Sequence, residues 1–188
     1  MSNPDENRGQ EAAAEPIIIQ GADFAGQIAG WSEGSSESTP RLRVINGRID
    51  PSLLARSVKG IEEKGETVLE YDASQQDKTS LYDWLDANTD KLANVTIVND
   101  RTASFASVID FVARQFDREN PATLVVSNLD KLESDQRETV ERQLLVPFLF
   151  PSSGERVTRI LISDSQAEKL VEPILRWEAE VIDLIDHP

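Results

Sequence analysis

Short apolar runs recur along the chain, and most of them lack the strict apolar–polar alternation of a strand with one wet side. Such runs are typical of strands that are covered on both faces of a sheet. The predicted strands are Leu42–Ile45, Thr67–Tyr71, Val95–Val98, Thr123–Val126, Arg159–Ile162 and Glu180–Leu184. A shorter β-branched run, Ile17–Ile19, is suited to one further strand.

Stretches with helical spacing separate these strands. Asp50 followed by Pro51 is a cap residue with a proline in the first turn, and predicts a helix start. Further helices are predicted around Leu81–Leu85, from Ser104 to Phe116, from Ser134 to an end at Pro147, and from Ser165, which has capping-box spacing to Glu168. This alternation predicts right-handed parallel crossovers and a three-layer α/β sandwich with a mostly parallel central sheet.

Composition divides the chain into three parts. Residues 1–14 have no apolar periodicity and are predicted to form a disordered tail. Residues 15–40 hold the short strand and end in an acidic, serine-rich linker. The α/β domain is predicted to occupy residues 41–188.

The charge of the chain limits its partners. Its 188 residues include 19 basic and 34 acidic ones, for a net charge of −15, which argues against direct binding to a nucleic-acid backbone. The 39% hydrophobic content is enough for a core. Arginine outnumbers lysine, which is consistent with a halophilic surface or with an ordinary acidic one. No run is long and apolar enough to span a membrane, so a cytoplasmic protein is expected.

Several kinds of catalytic chemistry are excluded. The chain has no cysteine, and its one histidine, His187, is next to the C-terminus. Thiolate catalysis, zinc–sulfur sites and Ser-His-Asp machinery are therefore not expected. We expect no cofactor.

Four aspartates follow predicted strands, and carboxyl ends of parallel strands are where ligands bind in open α/β sheets. Carboxylates at that edge could hold Mg²⁺. Aspartate is also common there because it caps the next backbone amides, so a metal site and simple turn formation both remain open. The four residues are Asp72, Asp100, Asp130 and Asp164.

The order of the elements resembles that of P-loop NTPases. Thr123–Asp130, TLVVSNLD, resembles the Walker B strand, which leads to an acid near the magnesium. Asn94–Asp100 with the helix 104–116 resembles the preceding segment of RecA/KaiC-type ATPases. Arg159–Ser163 is similar to the following core strand, and Glu180–Leu184 to the late strand. The likeness covers residues 41–185 and fits AAA or STAND relatives equally well.

The resemblance fails at the nucleotide motifs. A P-loop requires G-x-x-x-x-G-K-[ST] after the first strand, and the corresponding turn begins Asn46-Gly47-Arg48. The second glycine and the lysine are missing, Asp50 adds a negative charge, and Arg48 alone could attract phosphate. In the Walker B-like strand, Ser127 and Asn128 occupy the expected position of the magnesium-binding acid, and Asp130 lies two or three residues beyond it. A working nucleotide site is therefore not expected.

Two apolar segments lie outside the strand–helix repeat. The first is Phe24–Trp31 and the second is Val146–Pro151, which contains Phe148 and Phe150. Such segments either dock on a partner or pack within the domain. The interface interpretation names Trp31, Phe24, Phe148 and Phe150.

Together these features predict a non-catalytic pseudo-NTPase that serves as a protein-interaction, assembly or regulatory subunit, with a protein partner or a second copy of itself. The alternative is a small Mg²⁺-dependent enzyme that uses the four aspartates. A third hypothesis is a subunit whose nucleotide site is completed by a partner's P-loop.

Overall fold

The computed structural model describes residues 16–31, 40–75, 80–92 and 103–185. Several predictions fall outside the described residues: the tail 1–14, most of the linker, the strand Val95–Val98, Asp100 and His187.

Within the described ranges, six parallel strands form one sheet, which confirms the predicted fold class. The strands are β1 (Ile17–Gln20), β2 (Leu42–Asn46), β3 (Thr67–Asp72), β4 (Ala122–Ser127), β5 (Thr158–Ser165) and β6 (Ala179–Ile185). Their spatial order is β1-β6-β2-β5-β4-β3, and each neighbouring pair is parallel. The three central strands β2, β4 and β5 carry mostly buried side chains, as their apolar sequences predict, whereas β6 is mostly half-buried.

The helices are α1 (Gly21–Ala29), α2 (Pro51–Glu63), α3 (Leu81–Ala87), α4 (Phe105–Arg114), α5 (Ser134–Val140), α6 (Val146–Leu149) and α7 (Pro173–Glu178). Polar side chains accept hydrogen bonds from backbone amides at three helix starts. Two of these caps, Asp50 for α2 and Ser104 for α4, are predicted from the sequence, and Ser80 for α3 is found in the structure. These caps replace the hydrogen bonds that first-turn amides cannot make within a helix.

The sheet separates two hydrophobic cores. One face packs against α1 and α2, through strand residues such as Ile45, Leu161 and Ile182. The other face packs against α3 to α7, through residues such as Val44 and Ile160. The two helix layers and the sheet between them form the predicted three-layer sandwich.

The described part of the N-terminal segment belongs to this sandwich, whereas the sequence placed the start of the α/β domain at Arg41. β1 pairs with β6, and α1 packs against α2. Gly60 allows that close approach, because a Cβ at this position would lie 3.0 Å from the Cβ of Ala29.

Two helix boundaries differ from the prediction. Pro147 does not end the helix from Ser134, because a π-helical turn, Glu141–Leu145, connects α5 to α6 without a break, and the proline is the second residue of α6. Ser165 is not a cap but the last residue of β5. The next helix, α7, instead begins at Pro173, a residue with fixed φ that suits a first turn.

Candidate functional site

The candidate site lies at the carboxyl ends of β2 and β5, the position at which open α/β sheets bind ligands. The two strands are neighbours, but the chain leaves β2 for α2 on one face and leaves β5 for α7 on the other. In open α/β sheets, ligands bind where connections diverge in this way. The turn 46–50 and Asp164 lie at this point.

Hydrogen bonds hold the turn after β2 to the neighbouring strand ends. The Asn46 side-chain amide donates to Asp183 Oδ1 at 2.9 Å, and the backbone amide of Ile49 donates to Asp164 Oδ1 at 3.4 Å. Gly47 has φ +89°, a conformation that favours glycine. Arg48 is exposed. The turn is therefore positioned by two aspartates of the adjacent strands.

At the start of α2, the carboxylate of the cap residue Asp50 accepts hydrogen bonds from the first-turn amides. Asp50 Oδ1 accepts the Ser52 amide at 2.7 Å and the Leu53 amide at 3.4 Å, and it also accepts the Ser52 hydroxyl. Bonds from the Ser52 hydroxyl and from the two amides hold the pKa of Asp50 below its usual value. Pro51 has no N–H to offer. The amides that a helix start would present to an anion are thus occupied by a fixed negative charge.

The end of β4 carries amide and hydroxyl groups at the Walker B-like position. Asn128 adopts the left-handed conformation, with φ 59°, and its side-chain amide donates to Asp72 Oδ1 at 2.8 Å. Burial favours a higher pKa for Asp72, but the bonds from Asn128 and Ser74 outweigh it and lower the pKa. Asp72 therefore serves as an acceptor that ties the ends of β3 and β4 together.

Asp130 lies beyond this strand end and is neutralised by two cations. Its carboxylate is 3.6 Å from Arg137 Nη2 and 3.3 Å from Lys169 Nζ. It links the β4 end to α5 and to the segment after β5.

The structure does not bring the described aspartates together as a metal site. Asp72, Asp130 and Asp164 each bind different local donors. Within the ranges that the structure describes, no group of three or more acidic or histidine residues could hold an ion. Asp100 lies outside those ranges. Of the three described residues, Asp72 accepts a following backbone amide, that of Ser74 at 2.9 Å, as turn formation predicts. Asp130 is paired with cations and Asp164 accepts an amide from the turn after β2.

Three of the four residues expected at an interface are core residues. Phe24 and Phe148 are fully buried, and Trp31 is 4% exposed. Phe150 is half-buried, beneath the guanidinium of Arg41 at 5.3 Å. These side chains fill the protein's own interior because α1 and α6 pack onto the sheet, so they are not exposed anchors.

Trp31 instead lies against two charged pairs, one buried and one partly buried, that were not predicted from the sequence. The guanidinium of Arg43 lies 4.6 Å from the centre of the Trp31 ring, and that of Arg159 lies 6.0 Å from it. Arg43 pairs with Glu180 at 2.9 Å and Arg159 with Glu66 at 3.3 Å. Burial lowers the pKa of both arginines, against the attraction of their carboxylates. The available signal was two arginines within otherwise apolar strands.

A second missed residue is Glu141, in the π-helical turn. Its buried carboxylate accepts the backbone amide of Val171 at 2.8 Å and that of Glu172 at 3.0 Å, just before α7. Burial raises the pKa of Glu141, although the two amide bonds oppose the shift. π-Helical turns often mark functional positions. Here the turn directs a carboxylate to the segment that leads into α7.

The order of the parallel strands and the helices on both faces of the sheet define a three-layer α/β fold. No family model matches the sequence, and no curated protein matches it significantly.

Two solved structures are similar to the chain. A chain in the structure of Drosophila ORC bound to AT-rich DNA and Cdc6 matches with a TM-score of 0.54 and 16% identity, over 88% of this chain and 52% of that one. C. elegans PCH-2 matches with a TM-score of 0.45 and 13% identity, over 89% of this chain and 42% of that one. This chain therefore spans about half the length of the ORC chain, and at such identities the likeness describes the fold.

None of the helices in the described residues is long and apolar enough to cross a bilayer.

Proposed function

We propose that this protein is a non-catalytic assembly or regulatory subunit, built on a P-loop NTPase-like fold, that acts by binding other proteins and does not use nucleotide. The observation that carries the proposal is the Asp50 carboxylate on the amides of Ser52 and Leu53. A bound triphosphate would have to displace this carboxylate and tolerate its charge.

The turn also lacks the groups that would offset the negative charge of Asp50 and bind the phosphates. A P-loop places a lysine beside the β- and γ-phosphates and a glycine where the backbone must approach them. Residues 46–52 contain one glycine and no lysine, and Pro51 has no backbone N–H to donate. Arg48 is a single exposed cation on a chain of net charge −15. These features support loss of phosphate binding.

The Walker B-like strand supports the same proposal. Its end presents Asn128, whose amide binds Asp72, and the next acid along the chain, Asp130, is paired with Arg137 and Lys169. A carboxylate already neutralised by two cations is a poor ligand for Mg²⁺. Neither half of the expected site is arranged for Mg-ATP.

The assembly role rests on the fold and on the charge. The ORC structure that matches this fold is itself of an assembly, with DNA and Cdc6. For this chain we propose protein partners rather than nucleic acid, because its net charge of −15 repels phosphate backbones.

Calorimetric titration with Mg-ATP and with Mg-ADP tests the proposal. We expect no dissociation constant tighter than millimolar for either nucleotide. An Arg48→Ala variant is the control: it removes the one cation of the turn, and we expect its titration to match that of the wild type. Micromolar binding that weakens in Arg48→Ala would show a working site and overturn the proposal.

A further inference from the structure

Asn46 and Gly47 form the one Asn-Gly pair in the sequence, at the point where β2 passes into the turn 46–50. Asparagine is a chemically labile residue, and it is most labile before glycine. The next backbone nitrogen can then reach the side-chain carbonyl carbon, because no Cβ stands in its way. Asn46 and Gly47 are both exposed, so water has access to the pair.

Gly47 also lies beyond the strand pairing that would restrain its backbone. The registers of β2 with β5 and of β2 with β6 both end at Asn46. Gly47 has φ +89°, so the chain leaves the extended conformation immediately after Asn46. The nitrogen that would attack the Asn46 side chain therefore belongs to the turn and not to the sheet.

A second asparagine, Asn128, is held in the same way and provides the comparison. Asn46 donates its side-chain amide to Asp183 Oδ1 on the neighbouring strand at 2.9 Å, and Asn128 donates its amide to Asp72 Oδ1 at 2.8 Å. The residue after Asn128 is Leu129, which is 1% exposed. A buried, branched side chain hinders the approach of its own backbone nitrogen, whereas glycine does not.

We propose that Asn46 is a site of spontaneous deamidation, and that its conversion releases the turn 46–50 from β6. The backbone nitrogen of Gly47 attacks Asn46 Cγ, a new C–N bond forms, and the Cγ–Nδ2 bond breaks. The proton of the Gly47 N–H leaves with the amide nitrogen as ammonia, and a cyclic imide remains. One water molecule then adds to either carbonyl of the imide and opens the ring to aspartate or isoaspartate. The net reaction consumes water and involves no redox change.

The conversion turns an attractive contact into a repulsive one. Asn46 and Asp183 are register partners on adjacent strands, and like charges that face each other on neighbouring strands are destabilising. The amide that now donates to Asp183 would be replaced by a carboxylate, and isoaspartate would also add one carbon atom to the backbone. Of the two bonds that position the turn, only the 3.4 Å bond from the Ile49 amide to Asp164 would remain.

Peptide mapping by mass spectrometry of the full chain, incubated in mildly alkaline buffer, measures the reaction without any variant. We expect Asn46 to convert at least about tenfold faster than Asn128, because the two asparagines have equivalent hydrogen bonds and differ in the residue that follows. Isoaspartate should accumulate together with aspartate at Asn46, since both arise from the imide. Equal rates at the two positions, or an Asn46 that stays intact, would overturn the proposal.

A pair of variants with equal change in charge tests the release of the turn. Asn46→Asp reproduces the aspartate product, and Asn128→Asp adds the same charge at the end of β4. Circular dichroism establishes that each variant is folded. We expect hydrogen exchange at the Ile49 amide to be at least about threefold faster in Asn46→Asp than in the wild type, and unchanged in Asn128→Asp. Unchanged exchange in Asn46→Asp, or an equal increase in both variants, contradicts the proposal. Neither experiment involves nucleotide, so the inference does not rest on the proposed function.

Discussion

At the scale of single residues, side chains of one type have opposite roles according to where the fold places them. Trp31 is buried over two guanidinium groups, whereas Trp177 is 81% exposed. Sequence alone left Trp31 open as an interface anchor or as a core residue, since its segment lies outside the strand–helix repeat. That segment is buried because α1 adds to the layer beside α2, a long-range contact that local spacing does not reveal.

Replacing Trp31 therefore tests the core directly. We expect Trp31→Ala to lower the free energy of unfolding by about 3–5 kcal/mol, as for large aromatic residues in a core, since it also uncovers Arg43 and Arg159. Trp177→Ala is the matched control, with an expected change within about 0.5 kcal/mol. Urea unfolding of both variants at low protein concentration measures the difference; similar values for the two would contradict the assignment of Trp31 to the core.

At the scale of elements, strands were predictable and the connections were less so. β2 to β6 appear where apolar runs predict them, because a strand buried on both faces must be apolar throughout. The π-helical turn was not predictable, since Pro147 is a strong stop signal locally. The chain continues through it because the turn lets Glu141 satisfy amides of another segment.

Glu141 should therefore stabilise the link between the turn and α7. We expect Glu141→Ala to cost about 1–3 kcal/mol, because it leaves two amides without their acceptor, and to speed hydrogen exchange at Val171 and Glu172. Glu141→Gln retains one acceptor oxygen and should recover part of the loss. Unchanged exchange at both amides in Glu141→Ala would contradict this role.

The raised pKa of Glu141 also fixes the sign of a pH effect. A carboxyl whose pKa is raised by folding contributes to stability at pH values below its ordinary pKa of 4.5. This contribution is lost as the pH rises through the pKa of the folded state. We expect the stability of the wild type relative to Glu141→Gln to fall as pH rises from 4.5. Urea midpoints across this range give the slope, and a slope of opposite sign would exclude burial as the dominant cause.

At the scale of the whole molecule, the fold class was accessible from sequence because the alternation of strands and helices leaves few topologies. The candidate site was accessible in part. The absence of the second glycine and of the lysine is apparent from the sequence of residues 46–52. The hydrogen bonds that Asp50 accepts from the helix amides are apparent only from the structure. The edge position of β1 was not accessible, since strand order depends on contacts far apart in sequence.

The net charge gives a prediction for the whole molecule. If its acidic surface is a halophilic adaptation, the melting temperature should rise steadily from low to molar KCl, because salt screens self-repulsion. Differential scanning calorimetry of the protein in low and in molar KCl measures this change. A flat or falling melting temperature would contradict the halophilic interpretation.

The central claim is that the α2 start does not accept phosphate, and its amides can report this individually. In a ¹⁵N–¹H correlation spectrum recorded during titration with Mg-ATP, we predict that the resonances of Gly47, Ser52 and Leu53 do not move, because Asp50 already occupies the two helix amides. Saturable shifts confined to these resonances would contradict the account, since they would place a nucleotide in the turn that Asp50 closes.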